Sequence, residues 1–125
     1  MLPPKPIRVL VADSHEMSRY ALKVFVETFD DLELVGEAGD GSEVLQLCDQ
    51  LQPDIALMSI NLNFVDGIPT TRTIREQFPH VNVVMLSYLD HPQDLEAAIT
   101  AGASSYLIKG ISINDIAAAI RTANR

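Results

Sequence analysis

The sequence predicts an α/β domain: one parallel sheet, doubly wound, with helices covering both of its faces. Three observations carry that expectation. Five short runs are nearly all apolar and rich in β-branched residues, as strands covered on both sides must be. Amphipathic stretches with helical spacing lie between them. Strict alternation of strand and helix then requires parallel pairing, because parallel strands need crossovers and those crossovers are right-handed.

The elements follow in order along the chain. IRVLVA at residues 7–12 is the first strand, after a Pro-rich start (Met1-Leu2-Pro3-Pro4-Lys5-Pro6) expected to be a flexible arm over residues 1–6. Met17, Ala21, Val24 and Phe25 mark the apolar face of the first helix. LELVGE at 32–37 is the second strand, and Val44, Leu47, Cys48 and Leu51 mark the second helix. DIALMS at 54–59 is the third strand; Asp66-Gly67 fits a bend after it, and the third helix starts at Pro69 with Ile74 and Phe78 as anchors. VNVVMLS at 81–87 is the fourth strand. Asp90 before His91-Pro92 serves as N-cap of the fourth helix, with Leu95, Ala98 and Ile99 as its apolar face and Gly102 as its stop. SYLI at 105–108 is the fifth strand, and Ser112 with Asp115 gives a capping box before Ile116, Ala119, Ile120 and Ala123. This last helix is apolar nearly all round over residues 116–120, which reflects either plain helix propensity or a second face meant for a partner.

Composition limits the function classes. With 125 residues, 47% apolar and 21% charged, the chain reads as one domain over residues 7–125, large enough to bury a core without disulfide or structural metal. Nine basic against seventeen acidic residues give a charge of −8, which disfavours direct binding to nucleic acid or to anionic membranes. The N-terminal prolines stand where a signal peptide needs an apolar helix, and no run is long enough to span a bilayer, so a cytoplasmic protein with no membrane partner is expected. Cys48, alone and at an apolar helical position, reads as a small buried hydrophobe in a reducing compartment.

In open α/β sheets ligands sit at the carboxyl ends of the strands, near the point where strand order reverses. That rule selects Asp13-Ser14-His15-Glu16, Ser59-Ile60-Asn61, Ser87-Tyr88 and Lys109-Gly110 as one converging rim. Read together, VLVADSHEMSRYAL, VGEAGDG, PDIALMSINLNFVDGI, VVMLSYLD and AGASSYLIKG resemble a response-regulator receiver domain of the NarL/FixJ subfamily, in the family's order and spacing. The resemblance implies a flavodoxin-like (CheY-like) five-stranded sheet of order 2-1-3-4-5 with five helices. It also implies a site in which two adjacent acids and a phosphoacceptor aspartate hold Mg²⁺, while a hydroxyl and a lysine contact the phosphoryl oxygens. Ser87 and Lys109 match the last two positions, Tyr106 matches the aromatic whose rotation accompanies activation, and the backbone at Asn61 matches a carbonyl metal ligand.

The departures fall on the chemistry. Ser14 stands where the second acid of the pair belongs, and Ser59 stands where the phosphoacceptor belongs. A serine hydroxyl is a poor nucleophile without a positioned base, and Asp13 is the one carboxylate on the rim that could serve as that base. Mg²⁺ prefers several charged oxygens, so its binding is expected to be lost or weak, no cofactor is expected, and Lys109 is expected to pair with Asp13. The expectation is a pseudo-receiver without enzyme activity, acting in transcription regulation through a protein partner or a homodimer. Ile113, Ala117, Ala118 and Tyr106 are its candidate interaction face, and DNA would be reached only through a helix-turn-helix output domain lying outside these residues. The alternatives are a switch that takes phosphate on Ser59 or a neighbour, a stand-alone adaptor, a small effector in the vacated pocket, or an engineered Ser59. Other motifs fail on their own terms. His15-Glu16 lacks the second histidine of a zinc helix, Gly36, Gly39 and Gly41 follow the wrong strand for a dinucleotide loop, and Val65 occupies a ligand position of a calcium loop. A flavodoxin would need a hydroxyl- and glycine-rich phosphate loop after the first strand, and aromatics for the flavin.

Overall fold

The computed structural model describes residues 5–62, 66–87 and 91–125. Five strands, β1 (Ile7–Ala12), β2 (Leu32–Ala38), β3 (Ile55–Ser59), β4 (Asn82–Ser87) and β5 (Ser105–Ile108), alternate with α1 (Glu16–Thr28), α2 (Gly41–Leu51), α3 (Gly67–Gln77), α4 (Pro92–Ala101) and α5 (Ile113–Ala123). All pairings are parallel and the strand order is β2-β1-β3-β4-β5, the doubly wound arrangement that the sequence predicts.

The period of two along each strand divides the core between the two faces. Val9, Val11, Ile55, Leu57, Val84 and Leu86 point to the face covered by α1 and α5, where Leu22, Phe25, Val26, Ile116 and Ile120 meet them. Leu10, Ala12, Ala56, Met58, Val83 and Met85 point to the other face, where Val44, Cys48, Ile74 and Ala98 close the layer. Both layers are apolar throughout their centres, so every central strand is buried on both sides.

Several helix faces differ from the sequence reading. On α1, Met17 and Val24 are 72% and 49% exposed and Ala21 is exposed as well, while Leu22, Phe25 and Val26 are the buried set. On α4, Leu95 and Ile99 are 41% and 49% exposed, and the small Ala98 and Ala101 face the sheet. Ala117 is fully buried and belongs to the core, so it is removed from the candidate interaction face, whereas Ile113 and Ala118 are exposed and Tyr106 is half-buried. The reason is common to all three helices: apolar residues occur more than halfway round each one, and contact with the sheet selects the stripe.

Boundaries move by a residue or two. β2 continues through Ala38, and α3 begins at Gly67 rather than at Pro69. Asp54 and Val81 precede their strands. The Asp54 carboxylate accepts the Arg8 N–H at 2.9 Å, and the Val81 N–H donates to the Phe78 carbonyl at 2.9 Å. Ser112 caps α5 by accepting the Asp115 N–H at 3.1 Å, and Gly102 ends α4 with φ of 108°, both as the sequence indicates. His91 is the N-cap of α4 and makes no side-chain cap bond. The predicted capping Asp90, the rim residue Tyr88, Asn63 and Val65 of the rejected calcium loop, and most of the predicted arm lie outside the described residues.

Candidate functional site

Parallel strand ends place the polar residues of β1, β3, β4 and β5 along one edge of the sheet. β1 delivers Asp13, whose backbone N–H continues the ladder to the Ala38 carbonyl at 3.1 Å. β3 ends in Ser59, β4 ends in Ser87, and Lys109 follows β5 with its N–H on the Ser87 carbonyl at 2.6 Å. Asp13, Ser59 and Ser87 are all buried, at 2%, 3% and 3% exposed.

Lys109 organises the group. Its ammonium donates to Asp13 Oδ2 at 2.8 Å and to Ser59 Oγ at 3.2 Å, tying β1, β3 and β5 together through one cation. The other carboxylate oxygen, Asp13 Oδ1, accepts the His15 N–H at 2.9 Å. Ser14 donates its hydroxyl to the Asn61 carbonyl at 3.3 Å. Opposite charges in contact with little water between them attract strongly, and each also offsets the other's loss of hydration.

A cavity of about 230 Å³ is lined by Asp13, Ser14, His15, Ser18, Ser59, Asn61 and Lys109. Asp13 is the one carboxylate in that lining and Lys109 the one ammonium, so their formal charges cancel. Ser87 lies at the end of β4 but lines a neighbouring cavity of about 240 Å³ with Asn61, Asp66 and Asp94. Tyr106 packs, half-buried, against the core layer under α2, α3 and α4. Thus the structure brings Asp13, Ser14, Ser59, Asn61 and Lys109 to one cavity, sets Ser87 beside it, and places Tyr106, Ile113 and Ala118 elsewhere.

Two contributors, Ser18 and Arg19, escape a reading of the sequence. Ser18 lines the cavity together with His15, which the strand-end rule selects. Arg19 donates to the Asp13 carbonyl at 2.9 Å and to Glu37 Oε1 at 3.2 Å, fixing the turn on which Asp13 stands. Helical spacing puts Ser18 and Arg19 one turn from Ser14 and His15, which is the only signal that could have found them. Gly67 supports the far side: its N–H donates to the Ile60 carbonyl at 2.8 Å, and a Cβ there would lie 2.8 Å from the Ser59 carbonyl oxygen.

The chemistry of this arrangement is restricted. The Ser59 hydroxyl accepts a bond from an ammonium, which withdraws its lone pair from attack on an electrophile. For Mg²⁺ the lining offers one carboxylate, already held by Lys109, and neutral oxygens such as the Asn61 carbonyl, already accepting from Ser14. These residues do not fit a hard divalent ion that needs charged oxygens in octahedral geometry. Among the described residues no group of three His, Cys, Asp or Glu side chains could hold a metal, and no helix is long and apolar enough to cross a membrane.

Comparison with known proteins gives a consistent result. The family model for the response regulator receiver domain matches residues 9–121. The response regulator protein VraR of Staphylococcus aureus is 35% identical over 119 residues, a match covering 95% of this chain and 57% of VraR. The chain therefore spans little more than half the length of that relative. The signal receiver domain of the response regulator NarL from Mycobacterium tuberculosis superposes with a TM-score of 0.91 at 28% identity, covering 95% of this chain and 96% of that one. The response regulator domain of Thermotoga maritima CheB gives 0.88 at 27% identity, with 96% and 97% covered.

Proposed function

Since the chain belongs to the response regulator receiver domain family, we propose that it is a pseudo-receiver of a two-component-type regulator, signalling by protein contact without being phosphorylated. The carrying observation is the Lys109 ammonium shared between Asp13 and Ser59 at 2.8 and 3.2 Å. Phosphoryl transfer requires metal and cationic groups to neutralise the phosphoryl oxygens while a nucleophile attacks. Here the cation is held by a carboxylate, the nucleophile is a serine that accepts from that cation, and the second acid is Ser14. The same contacts that complete the polar edge also hold it in one arrangement, which suits a fixed binding module better than a switch.

The role that follows is regulatory and non-enzymatic, in the cytoplasm, with output through a protein partner or a second copy. Exposed Ile113 and Ala118 on α5, half-buried Tyr106 on β5, and the exposed pair Leu95 and Ile99 one turn apart on α4 offer the contact surface. Any DNA binding would come from an output domain outside these residues; one structural neighbour, from Staphylococcus aureus, is named as a DNA-binding response regulator of the LuxR family. Neither the −8 charge nor the polar edge offers DNA a surface.

A Mg²⁺ titration followed by calorimetry tests this reading. The native chain should show no saturable heat at millimolar Mg²⁺, while a folded Ser14→Asp, Ser59→Asp variant should bind. Saturable binding by the native chain at the Asp13 cavity would overturn it.

A further inference from the structure

Asp13 stands where β1 has ended and α1 has not begun, so its carbonyl lies between the strand ladder and the helix. A buried carbonyl needs a partner, and this one accepts from Arg19 Nη1 at 2.9 Å. The Asp13 N–H is taken by the Ala38 carbonyl at 3.1 Å. Both main-chain groups are thereby fixed, which sets the origin from which the carboxylate reaches Lys109.

The guanidinium that holds Asp13 is itself held. Its Nε donates to Glu37 Oε1 at 3.2 Å, and Lys23, one turn further along α1, pairs with the other oxygen of that carboxylate. Glu37 lies opposite Val11 in the ladder, on the sheet face that α1 covers. Gly39 keeps the path clear, since a Cβ there would lie 3.3 Å from Arg19 Nη1. Exposure falls along this chain of contacts, from 41% at the Glu37 side chain to 21% at Arg19 and 3% at Asp13.

We propose that Arg19 is the positioning residue of the Asp13, Lys109 and Ser59 group and that Glu37 aims Arg19, so that a carboxylate at the surface of β2 sets the strength of a buried bond between β1 and β5. A guanidinium is planar and its donors keep fixed directions, so seating Nε on Glu37 decides where Nη1 points. Hydrogen bonds weaken steeply with misalignment, so a looser Asp13 turn weakens the 2.8 Å contact with Lys109. Exposed ion pairs stabilise little by themselves, which leaves the worth of the Glu37 contacts in what they hold in place. The role holds whether or not Ser59 accepts phosphate, and its failure would leave the pseudo-receiver reading untouched.

The test is a pair of double-mutant cycles read by urea denaturation, with the ¹H–¹⁵N signal of the Lys109 ammonium as a second readout. Lys109→Met should raise the unfolding constant by about fivefold less in an Arg19→Met background than in the native chain, as for residues of one hydrogen-bond network. A cycle of Lys109→Met with Arg121→Met, whose carboxylate partner is Asp31, should be additive within about twofold. The ammonium, on a side chain 12% exposed, should be protected from water exchange in the native chain. Arg19→Met and Glu37→Ala should each speed that exchange by about fivefold or more, the second through a change at an exposed residue that leaves the core intact. Glu37→Gln, which keeps an oxygen for Arg19 Nε, should restore the protection. Additivity within about twofold in the Arg19 cycle, or ammonium exchange that Arg19→Met and Glu37→Ala leave unchanged, would overturn the proposal. So would equal coupling in the Arg121 cycle, which would mean general loosening of the domain, or Glu37→Gln behaving as Glu37→Ala, which would reduce Glu37 to a bare charge.

Discussion

Replacing Lys109 by methionine tests the energetics of the polar edge directly. The substitution keeps most of the apolar stem and removes the ammonium from Asp13 and Ser59, leaving a carboxylate on a residue only 2% exposed. Breaking a buried pair from one side costs about 3 to 5 kcal/mol. Two features move the expectation to the lower end: Asp13 Oδ1 keeps the His15 N–H at 2.9 Å, and the lysine side chain is 12% exposed, so water reaches the pair. The expected loss is about 3 kcal/mol, read by urea denaturation, or about 10 °C in Tm for a domain of this size. Asp13→Asn combined with Lys109→Met should recover about 1.5 kcal/mol relative to the sum of the single variants, because no lone buried charge then remains. A Lys109→Met variant within about 1 kcal/mol of the native chain would refute the view that the pair holds the strand ends together.

Other perturbations test separate parts of the structure. Gly67→Ala should destabilise by about 2 kcal/mol, since its Cβ would sit 2.8 Å from the Ser59 carbonyl oxygen and 2.9 Å from that of Ile60, both rigid backbone; thermal unfolding unchanged from native would contradict the close approach. The Arg121 hydrogen bonds to Asp31, at 2.6 and 3.0 Å, hold the Asp31 carboxyl below its ordinary range. That stabilisation is present above the ordinary carboxylate pKa of about 4 and is lost as pH falls through the lower folded value. Asp31→Asn should therefore flatten the stability profile only in that acid window, and modestly, because the pair is exposed. Burial pushes the Cys48 thiol up to about 11, so it should resist alkylation at pH 8 until the chain unfolds; rapid labelling of the folded protein would place the thiol elsewhere.

The sheet was legible because its signal is redundant. Each central strand is apolar on both faces, so a misplaced end of one or two residues, as at Asp54, Val81 and Ala38, does not alter which run forms which strand. The helix faces were not. α1 carries Met17, Ala21, Leu22, Val24, Phe25 and Val26, a spread that supports two inward stripes, and the choice of Leu22, Phe25 and Val26 depends on the tilt of α1 against β1 and β2. Ala117 was assigned outward for the same reason, although its small side chain is what lets α5 approach the sheet. At the site, the strand-end rule found Asp13, Ser59 and Lys109 without geometry, since topology alone converges them. It could not find the Ser14 bond to the Asn61 carbonyl or the Arg19 bond to the Asp13 carbonyl, because backbone acceptors leave no mark in a sequence. Asp66-Gly67 was read as a bend; the glycine is needed instead because backbone passes too close for a side chain.

On the pseudo-receiver reading, Ser14 and Ser59 leave the receiver fold intact and remove phosphoryl transfer from it. Intact-mass analysis after incubation with Mg²⁺ and acetyl phosphate tests it most directly, run beside a Ser14→Asp, Ser59→Asp variant that reports whether the rest of the site can still work. The native chain should carry no phosphoryl adduct, and the variant should carry one. An adduct on the native chain, mapped to Ser59, would contradict it and make the domain a switch with serine as its acceptor.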